Sequence, residues 1–137
     1  MLLYRIFDIF FFVFHSMLIL FILFGWVWRK TRRWNLLVVM LTAASWFGLG
    51  IWCGFGYCPC TDWHWRVRWT LGDTDLPFSY IKFLIDRAFG SDVSAWWVDV
   101  ATVTGFALAA MASIATNARD YRQSKRKNDP CHVDSPR

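Results

Sequence analysis

Polar residues along this chain are confined largely to the breaks between three long apolar runs. In the first, Ile6 to Trp28, the polar interruptions are Asp8, His15 and Ser16. The second, Trp34 to Tyr57, carries no charge, and the third, Ala95 to Thr116, is rich in Ala and Thr with Asp99 near its start. A helix needs about 20 apolar residues to cross a hydrocarbon core about 30 Å thick, and each run meets that length. The expected fold is an all-α membrane protein with three transmembrane helices plus an outer-face interfacial amphipathic helix. The spans are placed at about 6–28, 34–57 and 95–116, in a membrane domain over residues 1–117 followed by a basic tail over 118–137. The first run exceeds the apolar stretch of about 7–15 residues found in a secretory signal. FGWVWRK at its end offers no small-x-small cleavage site, so the segment is expected to be retained.

The connection between the second and third spans has a helical pattern of its own. After the turn-like Leu71-Gly72-Asp73-Thr74-Asp75, Pro77 can open a helix and Gly90 can end it, over about 77–89. Phe78, Ile81, Leu84, Ile85, Ala88 and Phe89 fall on one stripe, while Lys82, Asp86 and Arg87 take the other side. Such a helix suits the membrane interface, or a partner subunit.

Composition agrees with lipid as the solvent. Of 137 residues 56% are apolar without counting Gly and 18% are charged, against roughly 45–50% including Gly and about 25% in soluble domains. An ordinary soluble domain is thereby excluded. Charge then orients the chain, because short loops rich in Lys and Arg stay in the cytoplasm. Arg29, Lys30, Arg32 and Arg33 follow the first span with no acid among them. The segment after the third span holds Arg119, Arg122, Lys125, Arg126, Lys127 and Arg137 against Asp120, Asp129 and Asp134, whereas Cys58 to Val93 has four cations against five acids. The N-terminus and the Cys58–Val93 loop are expected outside and the C-terminus in the cytoplasm. Trp26, Trp28 and Trp34 then flank the cytoplasmic boundary, and Trp52, Trp63, Trp65, Trp69, Trp96 and Trp97 the outer one, as aromatic belts. The basic tail reads as attraction to anionic lipid heads rather than to nucleic acid.

Small residues at four-residue spacing let helix backbones approach closely in lipid. Ala101, Gly105, Ala109 and Ser113 recur so in the third span, and Ala44 with Gly48 and Gly50 with Gly54 in the second, so these two spans are expected to pair. Ionisable groups in the bilayer mark functional candidates. Asp8 and His15 are seven apart on one face of the first helix, with Asp8 near the outer interface beside Asp99 and Cys53. His15 is expected to meet Ser45, Thr102 or Thr104, giving either a hydrogen-bonded structural histidine or a haem, quinone or proton-relay site.

The second span leads into GYCPCTDWHW. If this stretch is extended after Pro59, then Cys58, Cys60, Asp62 and His64 share one side. Thiolate, imidazole and carboxylate are ligands for zinc and in part for copper, although the spacing matches no recognised metal signature. An outward face also permits disulfides, with Cys53 to Cys58 or Cys60 easier than Cys58 to Cys60, and one of the three cysteines left over. Inert thiols are the plainer alternative. Cys131, in the cytoplasmic tail, is expected to be reduced. No phosphate-binding glycine motif, nucleophile elbow or haem-attachment motif occurs.

His15 followed by LFILFGW, the second helix ending in GFGYCPCTDWHW, and then LPFSYIKFL resemble a family of small bacterial inner-membrane proteins, domain of unknown function twenty-seven eighty-four. The resemblance covers about residues 10–115 and is most specific at the Cys-Pro-x-Thr turn. It implies an intramembrane histidine at His15 and a shared motif at Cys58, Pro59 and Thr61. It also implies an acid in the second helix and a Glu after the Thr; this chain has no Glu, and Trp52 stands at the helix position. The family implies an architecture and a bacterial envelope, without an activity or a known cofactor. The leading expectation is a non-enzymatic accessory or scaffold subunit contacting membrane lipids and other membrane subunits. Its rivals are an outward-facing thiol-redox or metal protein and a haem or quinone site at His15.

Overall fold

The computed structural model describes residues 1–54, 56–90 and 93–128. Three of its helices are long and apolar enough to cross a membrane: α1 (Leu2–Phe24), α2 (Arg32–Cys53) and the helix that begins at Ala95. Two shorter helices, α3 (Pro59–Thr70) and α4 (Tyr80–Phe89), cap one end, and α5 (Ala95–Asn128) completes the chain. The all-α class holds, and every described element is helical.

Each helix boundary has a local cause. α1 stops at Gly25 rather than continuing to Trp28, because the linker folds on itself. Thr31 Oγ1 donates to the Gly25 carbonyl at 2.7 Å, and Arg32 Nε to that of Trp26 at 2.9 Å. α2 widens into a π turn at Ser45–Leu49 and ends at Gly54, short of Tyr57. There Ser45 Oγ donates to the Tyr57 carbonyl at 2.8 Å, tying the following bend back onto the helix. α4 starts at Tyr80 rather than Pro77, because Ser79 is extended at φ −90° and ψ 123°. Gly90 closes it in the left-handed conformation at φ 63°, which a side chain would resist. α5 runs on to Asn128, so residues 118–128 of the basic segment continue the helix.

Two apolar clusters hold the helices together. Ile22, Val39 and Ala109 join α1, α2 and α5, with Leu18, Leu23, Val38, Phe106 and Ala110 around them. At the cap end Trp65, Tyr80 and Phe83 pack with Phe12, Ile19, Leu76 and Leu84. The apolar side of α4 is thus partly spent on α1 and α3 rather than left wholly for lipid or a partner, while Phe78, just ahead of it, is exposed. Ala88 and Phe89 lie outside the described side chains. Ile9, Phe10, Met17, Leu41, Leu108 and Met111 are also exposed, as lipid-facing side chains are.

The small-residue stripes behave differently in the two helices. On α5, Ala109 and Ser113 are buried, a Cβ at Gly105 would lie 3.9 Å from Leu23, and Ala101 is exposed. On α2, Ala44 is exposed, a Cβ at Gly48 would meet nothing within 4 Å, and Gly54 lies past the helix end. Gly50 is half-buried. The Ala44–Gly48 pair therefore does not build the contact with α5; Val39, clustered with Ala109, and Trp46, whose ring lies 4.7 Å from that of Phe106, do. Four-residue spacing selects a face but not the direction in which it points.

Candidate functional site

Pro59 at the first helical position, behind an extended Cys58, starts α3 without leaving an unused backbone donor. Helical periodicity then turns His64 and Arg68 to one side, toward Asp8 on α1. His64 has no exposed surface, and its Nε2 lies 2.8 Å from Asp8 Oδ1, donating to the carboxylate. Arg68 Nη1 donates to the same oxygen at 3.0 Å, and Arg68 Nη2 lies 2.6 Å from Asp73 Oδ2. The turn at Leu71–Gly72 brings Asp73 back, its N–H donating to the Arg68 carbonyl at 3.1 Å. One guanidinium is therefore shared by two carboxylates, so charges are largely compensated where burial would otherwise make them costly.

Aromatic rings enclose this clamp. Tyr80 stacks on His15 with ring centroids 4.0 Å apart and lies 5.7 Å from His64. The Arg68 guanidinium sits 4.8 Å over Phe83, and that of Arg87 5.6 Å over Phe12. Burial pushes the His64 pKa below its ordinary value, the bond to Asp8 opposing this only in part. Burial likewise pushes the Tyr80 phenol upward, with Asp8 adding to it. A neutral His64 that donates from Nε2 keeps Nδ1 as an acceptor. That Nδ1, His15 Nδ1 and the Tyr80 hydroxyl are buried without a hydrogen-bond partner. The arrangement thus locks acid, base and cation onto one another and presents no exposed nucleophile.

The thiol-bearing stretch is helical after Pro59, so the condition under which its ligand types would share one side is not met. Because Pro59–Thr70 is helical, alternate residues do not share a side. Asp62 turns to Arg66, Nε to Oδ2 3.0 Å, while His64 points under the cap to Asp8. Cys58 is the residue before the helix and Cys60 lies in its first turn. Cys53, Cys58 and Cys60 are free thiols, Cys53 exposed. Burial, then the neighbouring Cys58, pushes the Cys60 thiol up, the opposite of what an activated thiol needs. Among the described residues, no three His, Cys, Asp or Glu converge as metal ligands. Asp99 is exposed on α5 and does not join Asp8. His15 Nδ1 has no hydroxyl partner: Ser45 is spent on Tyr57, Thr102 Oγ1 donates to the Val98 carbonyl at 2.7 Å, and Thr104 is exposed. Cys131 lies outside the described residues.

Sequence reasoning missed Arg68, Asp73 and Tyr80. The four-residue interval from His64 to Arg68 behind Pro59 was the available signal for the first; the other two require the tertiary fold.

A second polar clamp sits at the linker end. Asn35 Nδ2 donates to the Phe21 carbonyl at 2.6 Å, and Asn117 Nδ2 to that of Arg32 at 3.1 Å. Arg32 Nη1 donates to both oxygens of Asp120, at 3.0 and 2.8 Å, and Arg29 Nη2 approaches Asp120 at 3.6 Å. Gly25 is held closely here: a Cβ would lie 2.8 Å from Asn35 Nδ2 and 2.5 Å from the Phe21 oxygen.

No curated protein and no solved structure matches the chain. One family model does, over residues 5–118, a stretch that contains Asp8, His15, His64, Arg68 and Tyr80. The chain belongs to that family, described as a protein of unknown function (DUF2784).

Proposed function

We propose that this protein is a non-enzymatic integral membrane component, an accessory or scaffold subunit of a larger membrane assembly. On this reading it sits in the inner membrane of a bacterium, with the cap end outside and the linker and C-terminus in the cytoplasm, as the distribution of Lys and Arg favours. The observation that carries the reading is the contrast between the two ends of α2. Its first half is bound to α1 and α5 through Asn35, Val39 and Arg32. In its second half Ala44, Gly48, Ile51 and Trp52 are exposed, Trp52 by 80%. That surface combines small residues, which admit a second helix backbone, with large aromatic and aliphatic anchors. The polar cap clamp supports the same reading, since its groups hold α3 and α4 onto α1 rather than facing a substrate.

The rival chemistries gain less support. His15 and Tyr80 are both buried and stacked on one another, and the helix in α3 separates Asp62 and His64 from a common ligand side. The test is blue-native electrophoresis from native membranes in mild detergent, with a photo-crosslinking residue at Gly48 and, as control, at Phe10. A particle larger than the monomer, crosslinked from Gly48, is expected; monomer mass alone with no crosslink overturns the proposal.

A further inference from the structure

α5 carries two unlike faces beyond the length a bilayer requires. Ser113, Asn117 and Asp120 turn toward α2, where Asn117 and Asp120 bind Arg32. On the far side Leu108, Met111, Ala115, Arg119, Arg122 and Arg126 follow one another at intervals of three or four residues, all exposed. They form a single stripe that changes from apolar to basic at Ala115. Ala115, Ala118 and the three arginines also line a shallow groove with Gln123.

Depth and charge fit one occupant. From Ala95 to Ala115 the helix rises about 30 Å, the thickness of the hydrocarbon core, so Arg119 and Arg122 stand about 6 and 10 Å beyond it, at headgroup level. The neighbouring acid is spent, since Asp120 is taken by Arg32 at 2.8 Å and approached by Arg29 at 3.6 Å. None of Arg119, Arg122 and Arg126 makes an ion pair among the described residues. A guanidinium fork matches phosphate oxygens in pairs.

We propose that this stripe is a binding site for an anionic glycerophospholipid, with an acyl chain along Leu108, Met111 and Ala115 and the phosphate held by Arg119 and Arg122, Arg126 reinforcing it from the next turn. It goes beyond general attraction to an anionic leaflet by assigning one helix face and one chain path.

The protein is reconstituted in nanodiscs of equal phosphatidylglycerol and phosphatidylcholine, extracted in mild detergent, and its retained lipids are counted by native mass spectrometry. Wild type retains phosphatidylglycerol in preference. The combined Arg119→Gln, Arg122→Gln, Arg126→Gln variant loses at least about fivefold of that preference, the effect of one cation at an anionic surface. The corresponding Arg→Lys variant keeps part of it, and Lys30→Gln with Arg33→Gln, exposed at the same end, keeps all of it. The proposal is overturned if the Lys30 and Arg33 pair lowers retention as much as the stripe does, or if the stripe variant retains lipid like wild type. It is also overturned if millimolar inorganic phosphate displaces the lipid, which would make this a phosphate site without a chain path.

Discussion

His64 Nε2 stands 2.8 Å from Asp8 Oδ1, a fully buried imidazole in the cap held by a carboxylate from the first apolar helix. Asp8 also accepts from Arg68, so its removal leaves two buried donors without their partner. Asp8→Ala is expected to destabilise the attachment of α3 to α1 by about 2–3 kcal/mol, below the full penalty for a buried pair because Asp8 is partly exposed. Asp8→Asn, which keeps an acceptor, should lose roughly half as much. Protease cutting at the 71–79 connection, measured against denaturant in detergent, reads both.

The depressed pKa of His64 gives the cap a direction of pH response. In the closed cap the imidazole titrates below 6.5, while in an opened, hydrated cap it titrates near 6.5. Between those values the open form binds more protons. Closure is therefore strongest above about pH 6.5 and weakens as pH falls through the window beneath it, by up to about 1.4 kcal/mol per pH unit. The groups around His64 are Asp8 and His15 from α1, Arg68 on its own helix, and Tyr80 and Arg87 from α4. Corrected for the base-catalysed intrinsic rate, protection of α3 and α4 peptides against hydrogen exchange should be weaker at pH 5.5 than at 7.5, and His64→Gln should flatten the difference.

Tyr80 contributes as a ring rather than as a hydroxyl. Its oxygen is buried without a partner, whereas its ring stacks on His15 and contacts Trp65 and Phe83. Tyr80→Phe should change stability by less than about 1 kcal/mol, with relief of the unpaired hydroxyl favouring Phe. Tyr80→Ala should cost about 3–5 kcal/mol. Thermal melts followed by tryptophan fluorescence separate the two.

The glycines give opposite outcomes at the two ends. Gly25→Ala forces a methyl against Asn35 and the Phe21 carbonyl and should cost about 1–3 kcal/mol. Gly48→Ala meets open space and should be neutral or better by up to about 1 kcal/mol, from helix propensity. Gly48→Leu should leave the melt of the isolated protein unchanged yet reduce the larger particle on native gels.

Thiol labelling checks cap accessibility and orientation together. A membrane-impermeant maleimide added to intact cells should modify exposed Cys53 several-fold faster than Cys60, whose thiolate is disfavoured by burial. Labelling of Cys53 only after the cells are opened would reverse the proposed topology.

The three long helices were legible because crossing lipid imposes a local requirement on length and apolarity, which each run meets. α3 was not, because its buried side is His64, Trp65 and Arg68 rather than aliphatic, and the alternation from Cys58 to His64 imitates a strand. Asp8, His15 and His64 could be singled out by residue type alone. That Asp8 meets His64 rather than Asp99, and that Tyr80 rather than Ser45 covers His15, depends on how the cap folds back. No spacing rule contains that information.

Beside the linker clamp lies the belt of Ile22, Val39 and Ala109, wrapped by Leu18, Leu23 and Phe106. Asp8 and the Phe21 carbonyl, which anchor the clamps on α1, are about 20 Å apart along the helix. On α1, His15 is the titratable side chain between those anchors, so a proton entering from the cap would have that imidazole as its last stop before the belt.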